Sequence, residues 1–415
     1  MSAIAERKAK GAPPPAAEWR KVRLGEICSK IGSGATPRGG AQVYIDSGVS
    51  LIRSQNVYNS FFKYEGLSHI SEESANKLKN VTVKPNDILL NITGDSVARC
   101  CIVPDEILPA RVNQHVAIVR PNIQEVLPEY LQRVMVAPYM QAFMVGLASS
   151  QGGSRNALTK GNIEEFEILL PPLPVQRRIA EILGAYDDLI ENNRRRIALL
   201  ENMARELYRE RFVRRAGGGR QKIRLGEFLT FTRGVGYSSK DIKSGENVLL
   251  SMNNIRPYGG FIRDYSRSFC GRFSEAQKVE AGDLIMAITD MTQDRRIIGY
   301  TGIVPTGRKN RIICTHLMKV FSERCDNLFL NGMFNYSGLS KVISEHATGA
   351  TVLGLTADIL KDIQCELPAI KEQNRYVAEV EPIIRLSDNL ANQCDCLARQ
   401  RDALLPRLMR PGEGR

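Results

Sequence analysis

No run of about eighteen consecutive apolar residues occurs in this 415-residue chain, which excludes a helix that crosses a membrane. The start of the chain also lacks the apolar core of a secretory signal, so a cytoplasmic protein is expected. Nine cysteines are present but no CxxC pair, which argues against a zinc cluster or a disulfide framework. The adjacent pair Cys100-Cys101 and the close pair Cys394/Cys396 read as buried or incidental thiols of a reducing compartment. Catalytic motifs are missing too: there is no GxxxxGK[ST] phosphate loop, no HExxH and no GxSxG. A base-flipping amino-methylating loop would place Asn/Asp-Pro-Pro before an aromatic residue, yet adjacent prolines occur only at 13–15 and at Pro171-Pro172. Pro104-Asp105 is not followed by the acidic-x-Lys triplet of a nuclease core. The four histidines, at 69, 115, 316 and 346, are scattered. His115 and His316 each stand at the start of a strand-like run and read as structural hydrogen-bonding groups. Gly32-Ser33-Gly34-Ala35-Thr36-Pro37 lacks the third glycine of a dinucleotide fingerprint and reads as a flexible loop. The inventory offers neither a catalytic residue nor a metal-ligand set.

What is present is a duplication. Val22-Arg23-Leu24-Gly25-Glu26 returns as Ile223-Arg224-Leu225-Gly226-Glu227, at an offset of 201. Leu158-Thr159, Leu170-Pro171, Gln176 and Arg178 return as Leu355-Thr356, Leu367-Pro368, Gln373 and Arg375, at an offset of 197. Between these ends the order of landmarks holds. Asn56-Val57 answers Asn254-Ile255, Asp87 and Ile92-Thr93 answer Asp283 and Ile288-Thr289, and Ile102-Val103-Pro104 answers Ile303-Val304-Pro305. Small changes of offset mark insertions in loops between retained elements. The stretches between landmarks differ freely, as expected if two equivalent scaffolds recognise two unlike things. Net charge is +12, which favours a polyanionic partner without requiring one.

Each copy ends in a long segment without glycine runs, with apolar residues in a three-four rhythm. The first, 175–213, sets Leu183, Tyr186, Ile190, Asn193, Ile197, Leu200, Ala204 and Leu207 on one seam. The second, 371–409, sets Val380, Ile383, Leu390, Cys394, Leu397 and Leu404 there, with Ser387 and Arg401 as weak positions. Pro382 is expected to kink the second helix or delay its start. Thirty-nine residues make a helix of roughly 58 Å. With a half-polar seam such a helix cannot stand alone in water, and the duplicate is its natural antiparallel partner. The alternative is that each helix packs on its own domain. Arg194-Arg195-Arg196 reads as a solvated face.

In the globular halves, β-rich runs at 49–52, 88–92, 116–119, 168–170, 248–250, 284–288 and 317–321 alternate with turn signals. Residues 128–147 and 328–347 read as helices. The expected class is α+β: two mixed α/β domains separated by an antiparallel coiled coil of two long helices, a pseudo-two-fold repeat. The expected map is a mobile tail at 1–18, a domain at 19–174, the central helix at 175–213, a linker at 214–221, a second domain at 222–370, the C-terminal helix at 371–409 and a tail at 410–415.

As an ensemble these motifs resemble the specificity subunit of type I restriction-modification systems. The likeness rests on Val22–Glu26, Asn86-Asp87-Ile88-Leu89 with Ile92-Thr93-Gly94, Asn113-Gln114-His115-Val116-Ala117, Gln151-Gly152, and Leu170-Pro171-Pro172-Leu173-Pro174 with Gln176. It spans about residues 19–410, and the second copy answers most motifs less closely: Asp290 stands for Gly94, and Leu367-Pro368-Ala369-Ile370 for the Leu-Pro-Pro-Leu run. The resemblance implies two target-recognition domains, each reading one half of a split site in double-stranded DNA. It implies two modification subunits docked on the helices and restriction subunits joining them. S-adenosylmethionine, ATP and magnesium would belong to those partners, and this chain would be non-catalytic. Rival readings are a coiled-coil scaffold that binds no DNA, the specificity module of another phage-defence system, and a stand-alone enzyme. Base readout in the major groove calls for Arg or Lys on guanine and Asn or Gln on adenine, carried on loops. The first half offers Arg38, Arg53, Gln55, Arg99, Gln151, Ser154 and Arg155; the second offers Arg233, Arg256, Asn253, Arg295 and Arg296. Arg155 and Arg38, then Arg295 and Arg296, are the leading candidates, while Asn56 and Asn254 recur in both copies and read as scaffold.

Overall fold

The computed structural model describes residues 19–150, 156–215, 219–263, 267–307, 310–349 and 352–408. The chain forms two compact units, Met1–Glu191 with Asp395–Arg415, and Asn192–Cys394. Each unit therefore contains one mixed α/β domain together with part of each long helix.

Both domains are built on the same pair of four-stranded sheets. In the first, Cys28–Ser33, Val116–Pro121, Ile88–Asn91 and Cys100–Ile102 make an antiparallel sheet in that order. The second sheet runs Ser68–Ile70, Val49–Ile52, Ala110–Val112, Thr82–Val83, with Val49–Ile52 and Ala110–Val112 parallel. The other unit repeats this: Thr230–Arg233, Leu317–Phe321, Leu284–Ala287, Thr301–Ile303 in one sheet, and Arg267–Phe269, Asn247–Leu250, Arg311–Ile313, Lys278–Val279 in the other. The parallel pair recurs between Asn247–Leu250 and Arg311–Ile313.

The unbroken apolar runs at the centre of these sheets have a simple cause. Ile88 and Leu90 pack in a core shared with helices, while Leu89 between them packs in a second core with the other sheet. In the second domain Leu284 and Met286 face the helix-side core, and Ile285 and Ala287 face the other. A strand covered on both faces has no side to leave polar.

The retained landmarks are backbone fasteners. Ile92 N donates to His115 O at 3.0 Å, and Ile288 N to His316 O at 3.0 Å. The His115 and His316 rings hydrogen-bond the hydroxyls of Thr93 and Thr289, at 2.7 and 3.0 Å. Asn56 Nδ2 donates to Lys63 O at 2.9 Å and Asn254 Nδ2 to Ile262 O at 3.0 Å, each asparagine being fully buried. His115, His316, Asn56 and Asn254 are scaffold.

The first long helix runs Leu173–Arg209 and continues as a π-helical turn over Glu210–Arg214; the second runs Ile370–Leu408. Every expected seam residue is buried or half-buried. In the second unit Asn193 faces Gln393 at 3.4 Å and Arg211 faces Glu379 at 2.8 Å, so the helices run antiparallel. In the first, Asp187 pairs with Arg401 at 2.5 Å and Leu183 shares a core with Leu405. Packing against the globular cores occurs as well. Val175 and Ile179 complete the first core, while in an aromatic cluster of the second Tyr208 and Phe212 meet both Phe329 and Tyr376.

Three expectations about helices need correction. Pro382 does not delay the second helix, which begins twelve residues earlier at Ile370. Proline lacks the N–H that would bond the Ala378 carbonyl, but both residues are exposed and water can serve that carbonyl. Residues 128–147 form two helices, Pro128–Val136 and Pro138–Ser150, because Ala137 takes the extended conformation favoured before proline. Residues 328–347 are likewise split, by Ser337 and a left-handed Gly338, into Asn327–Tyr336 and Leu339–Glu345.

The segment 32–37 is not a flexible loop at its start. Gly32 and Ser33 close a strand, and Gly34 N donates to Val116 O at 2.9 Å. A Cβ on Gly34 would lie 2.1 Å from Val112 O, and one on Gly234 would lie 2.2 Å from Cys314 O. In both copies the chain crosses the end of one strand of the parallel pair, Ala110–Val112 or Arg311–Ile313, too closely for any side chain. Gly34→Ala and Gly234→Ala are each expected to destabilise the chain by about 1–3 kcal/mol, read as a lower urea midpoint. Gly32→Ala, whose added Cβ meets nothing within 4 Å, should leave the midpoint near wild type. Equal midpoints for Gly32→Ala and Gly34→Ala would disprove the close crossing.

Candidate nucleic-acid interface

In the first domain the strand Val49–Ile52 ends at Arg53, and a tight turn, Ser54–Asn56, follows. Arg53 Nη2 and Gln55 Nε2 both donate to Gly66 O, each at 2.9 Å, and the Arg53 guanidinium lies 5.3 Å from the centre of the Tyr44 ring. Arg99 lies over Tyr58 at 4.8 Å. A cation on an aromatic face keeps its charge while its plane is held, which suits a group that must meet a base edge at a fixed angle. The turn and the Arg99 segment are neighbours: Ser54 O and Val57 O accept from Asn91 Nδ2, and Asn91 N donates to Arg99 O at 2.8 Å. The structure thus brings Arg53, Gln55 and Arg99 together. Arg38 is exposed on the loop that follows Gly34. Gln151, Ser154 and Arg155 lie outside the described residues.

In the second domain the corresponding region is built differently. Here Gly299 N donates to Ala287 O and Ala287 N to Tyr300 O, the same bridge that joins Ala98 and Arg99 to Asn91. Between Thr289 and this bridge the chain is longer, because the offset between copies rises there from 196 to 201. Arg295 and Arg296 sit on that added loop. Asp290, which stands for Gly94, organises it: its carboxylate accepts from Thr292 N at 2.8 Å, Thr292 Oγ1 at 2.9 Å and Ile297 N at 3.1 Å. Arg295 is half-buried with φ of 53°, and exposed Arg296 pairs with Asp294, which raises the arginine's pKa. Tyr258, 63% exposed, donates its N–H to Arg296 O at 2.8 Å. Arg233 donates Nε to Thr315 O at 3.2 Å and keeps an exposed head.

Arg256 has a different setting from the other candidates. It holds Glu201 of the first long helix in a two-point contact, at 2.6 and 3.1 Å, and that hydrogen bonding raises its pKa. Such a pairing ties the domain's loop to the helix. Arg263 does similar work, bonding Asp388 and Asn392 of the second helix. Neither Arg263 nor the ring partners Tyr44, Tyr58 and Tyr258 were reached by sequence reasoning; the available signal was tyrosine near candidate arginines in turn-rich segments.

Among the described residues no group of three or more His, Cys, Asp or Glu side chains could hold a metal ion. No described helix is long and apolar enough to cross a membrane. Burial pushes the Cys101 thiol up to about 12 and raises Cys100 as well, so neither is poised as a nucleophile. Removing the Asp290 carboxylate should release the loop it holds. In Asp290→Ala the amides of Thr292 and Ile297 are expected to exchange hydrogen about 10- to 100-fold faster, the equivalent of one or two lost charge-assisted bonds. Unchanged exchange at both amides would refute that role.

Residues 16–202 match the family model of the type I restriction modification DNA specificity domain. The chain is 24% identical over 196 residues to the HindI specificity subunit of Haemophilus influenzae, covering 47% of this chain and 41% of that protein. It thus spans less than half the length of that relative. With the putative type I restriction enzyme MjaX specificity subunit of Methanocaldococcus jannaschii it shares 19% identity over 386 residues, 88% of this chain and 87% of the other. The solved S subunit of a type I restriction-modification system from M. genitalium has the same fold, with a TM-score of 0.55 at 14% identity, over 94% of this chain and 96% of that one. The first half of the chain thus resembles a type I restriction modification DNA specificity domain, and the second half repeats its pair of sheets and its long helix.

Proposed function

We propose that this chain is the non-catalytic DNA-recognition component of a type I restriction-modification assembly in the cytoplasm. Each globular domain reads one half of a bipartite site in duplex DNA. The long helices set the unread spacer and dock two modification subunits, which restriction subunits join. S-adenosylmethionine, ATP and magnesium are assigned to those partners. One observation carries the reading: the two domains share their backbone fasteners while the loops attached to them differ in length, charge and bracing. A common frame with unlike loops is what two independent readers require. The net charge of +12 supports contact with phosphates.

Two experiments test this. Four residues inserted at 194–200 lengthen the first helix by about 6 Å, near two base-pair steps of roughly 3.4 Å each. Sequencing of methylated adenines is expected to show an altered spacer and both half-sites intact; an unchanged spacer rejects the ruler. Replacing residues 222–370 with the matching domain of another family member is expected to change one half-site alone. If both halves change, the domains do not read independently. Absence of salt-sensitive DNA binding in the presence of modification subunits would favour a scaffold instead.

A further inference from the structure

The polar residue hardest to explain by folding alone is Asn91. It closes the strand Ile88–Asn91, is fully buried, and follows three fully buried apolar residues. Its Nδ2 donates to Ser54 O at 2.9 Å and to Val57 O at 3.3 Å, spanning the tight turn that carries Gln55. Its Oδ1 is buried with no hydrogen-bond partner in the structure. An unmatched buried acceptor opposes the gain from the two donated bonds, so this side chain contributes little net stability.

The second domain supplies the comparison. The equivalent strand position is Ala287, which faces Leu317 as Asn91 faces Val116. The backbone bridge is the same: Ala98 N donates to Asn91 O at 2.9 Å and Gly299 N to Ala287 O at 2.8 Å. The frame therefore forms with a methyl group at this position. What Asn91 adds is a cross-brace between two loops, one bearing Arg53 and Gln55, the other Arg99. We infer that Asn91 is a positioning residue for the first half-site: it touches no DNA and fixes the mutual placement of Arg53, Gln55 and Arg99. The inference rests on the reading of each domain as a half-site reader.

The test uses the full chain with its modification partner. Wild type and Asn91→Ala are compared by the distribution of methylated sites and by competition between duplexes altered in one half-site. Loss of a well-placed bidentate contact is expected to reduce discrimination about tenfold at one or two positions of the half-site assigned to residues 19–174. The other half-site and the thermal midpoint should stay unchanged. Asn91→Ser, whose hydroxyl cannot span both carbonyls, serves as the second variant if the alanine form does not accumulate. Unaltered discrimination in both half-sites overturns the inference, as does an equal loss in both, which would mark a general structural role. If wild type itself methylates no bipartite site, the half-site reading fails first and the inference falls with it.

Discussion

A long helix with a narrow, partly polar seam has too little apolar surface to hold itself in water, and this constraint organises the chain. The first long helix satisfies it by lending its ends to two different cores. Val175, Ile179 and Leu183 finish one, and Ala204, Tyr208 and Phe212 finish the other. The second helix does the same with Val380 and Leu405. Polar positions on the seam are answered by partners: Asn193 by Gln393, Arg401 by Asp187, and Arg133 of the first domain also reaches Asp187. Within each unit, helix pairing and domain packing are thus one set of contacts.

The duplication shows how two domains can share a frame. Retained residues close backbone hydrogen bonds at strand ends, where a lost partner would leave a buried polar group. His115 with Thr93, His316 with Thr289, and the pair Asn56 and Asn254 are of this kind. Departures fall between fasteners. The second copy lengthens one loop and ties it with the Asp290 carboxylate, while the first keeps a short loop and braces it with Asn91. Order is obtained by different bonds at the same place, which frees loop sequence without loosening loop geometry.

Arginine illustrates what can be misread. Arg53, Arg99, Arg256 and Arg296 look alike as basic residues in polar, turn-rich segments. In the fold Arg53 and Arg99 lie on tyrosine rings, Arg256 grips a helix carboxylate, and Arg296 pairs within its own loop. Of the distinguishing partners, Tyr58 and Glu201 are remote in sequence, while Tyr44 and Asp294 are near. Spacing alone does not reveal whether a guanidinium is held toward solvent or spent on the scaffold.

Sequence by itself determined the repeat, the central strands, the two long helices and their seam, because these follow from periodic apolar patterns and from landmarks that recur in order. It also pointed to scaffold roles for Asn56, Asn254, His115 and His316. Tertiary structure alone decided the rest. It turned Gly34 from a loop residue into a fixed crossing point, repeated at Gly234, carried the second helix through Pro382, and divided two expected helices into four. It also decided which loops meet. The reason is physical: periodicity is written along the chain, whereas steric crossings, carbonyl exposure and long-range hydrogen bonds depend on segments that meet only when the chain is folded.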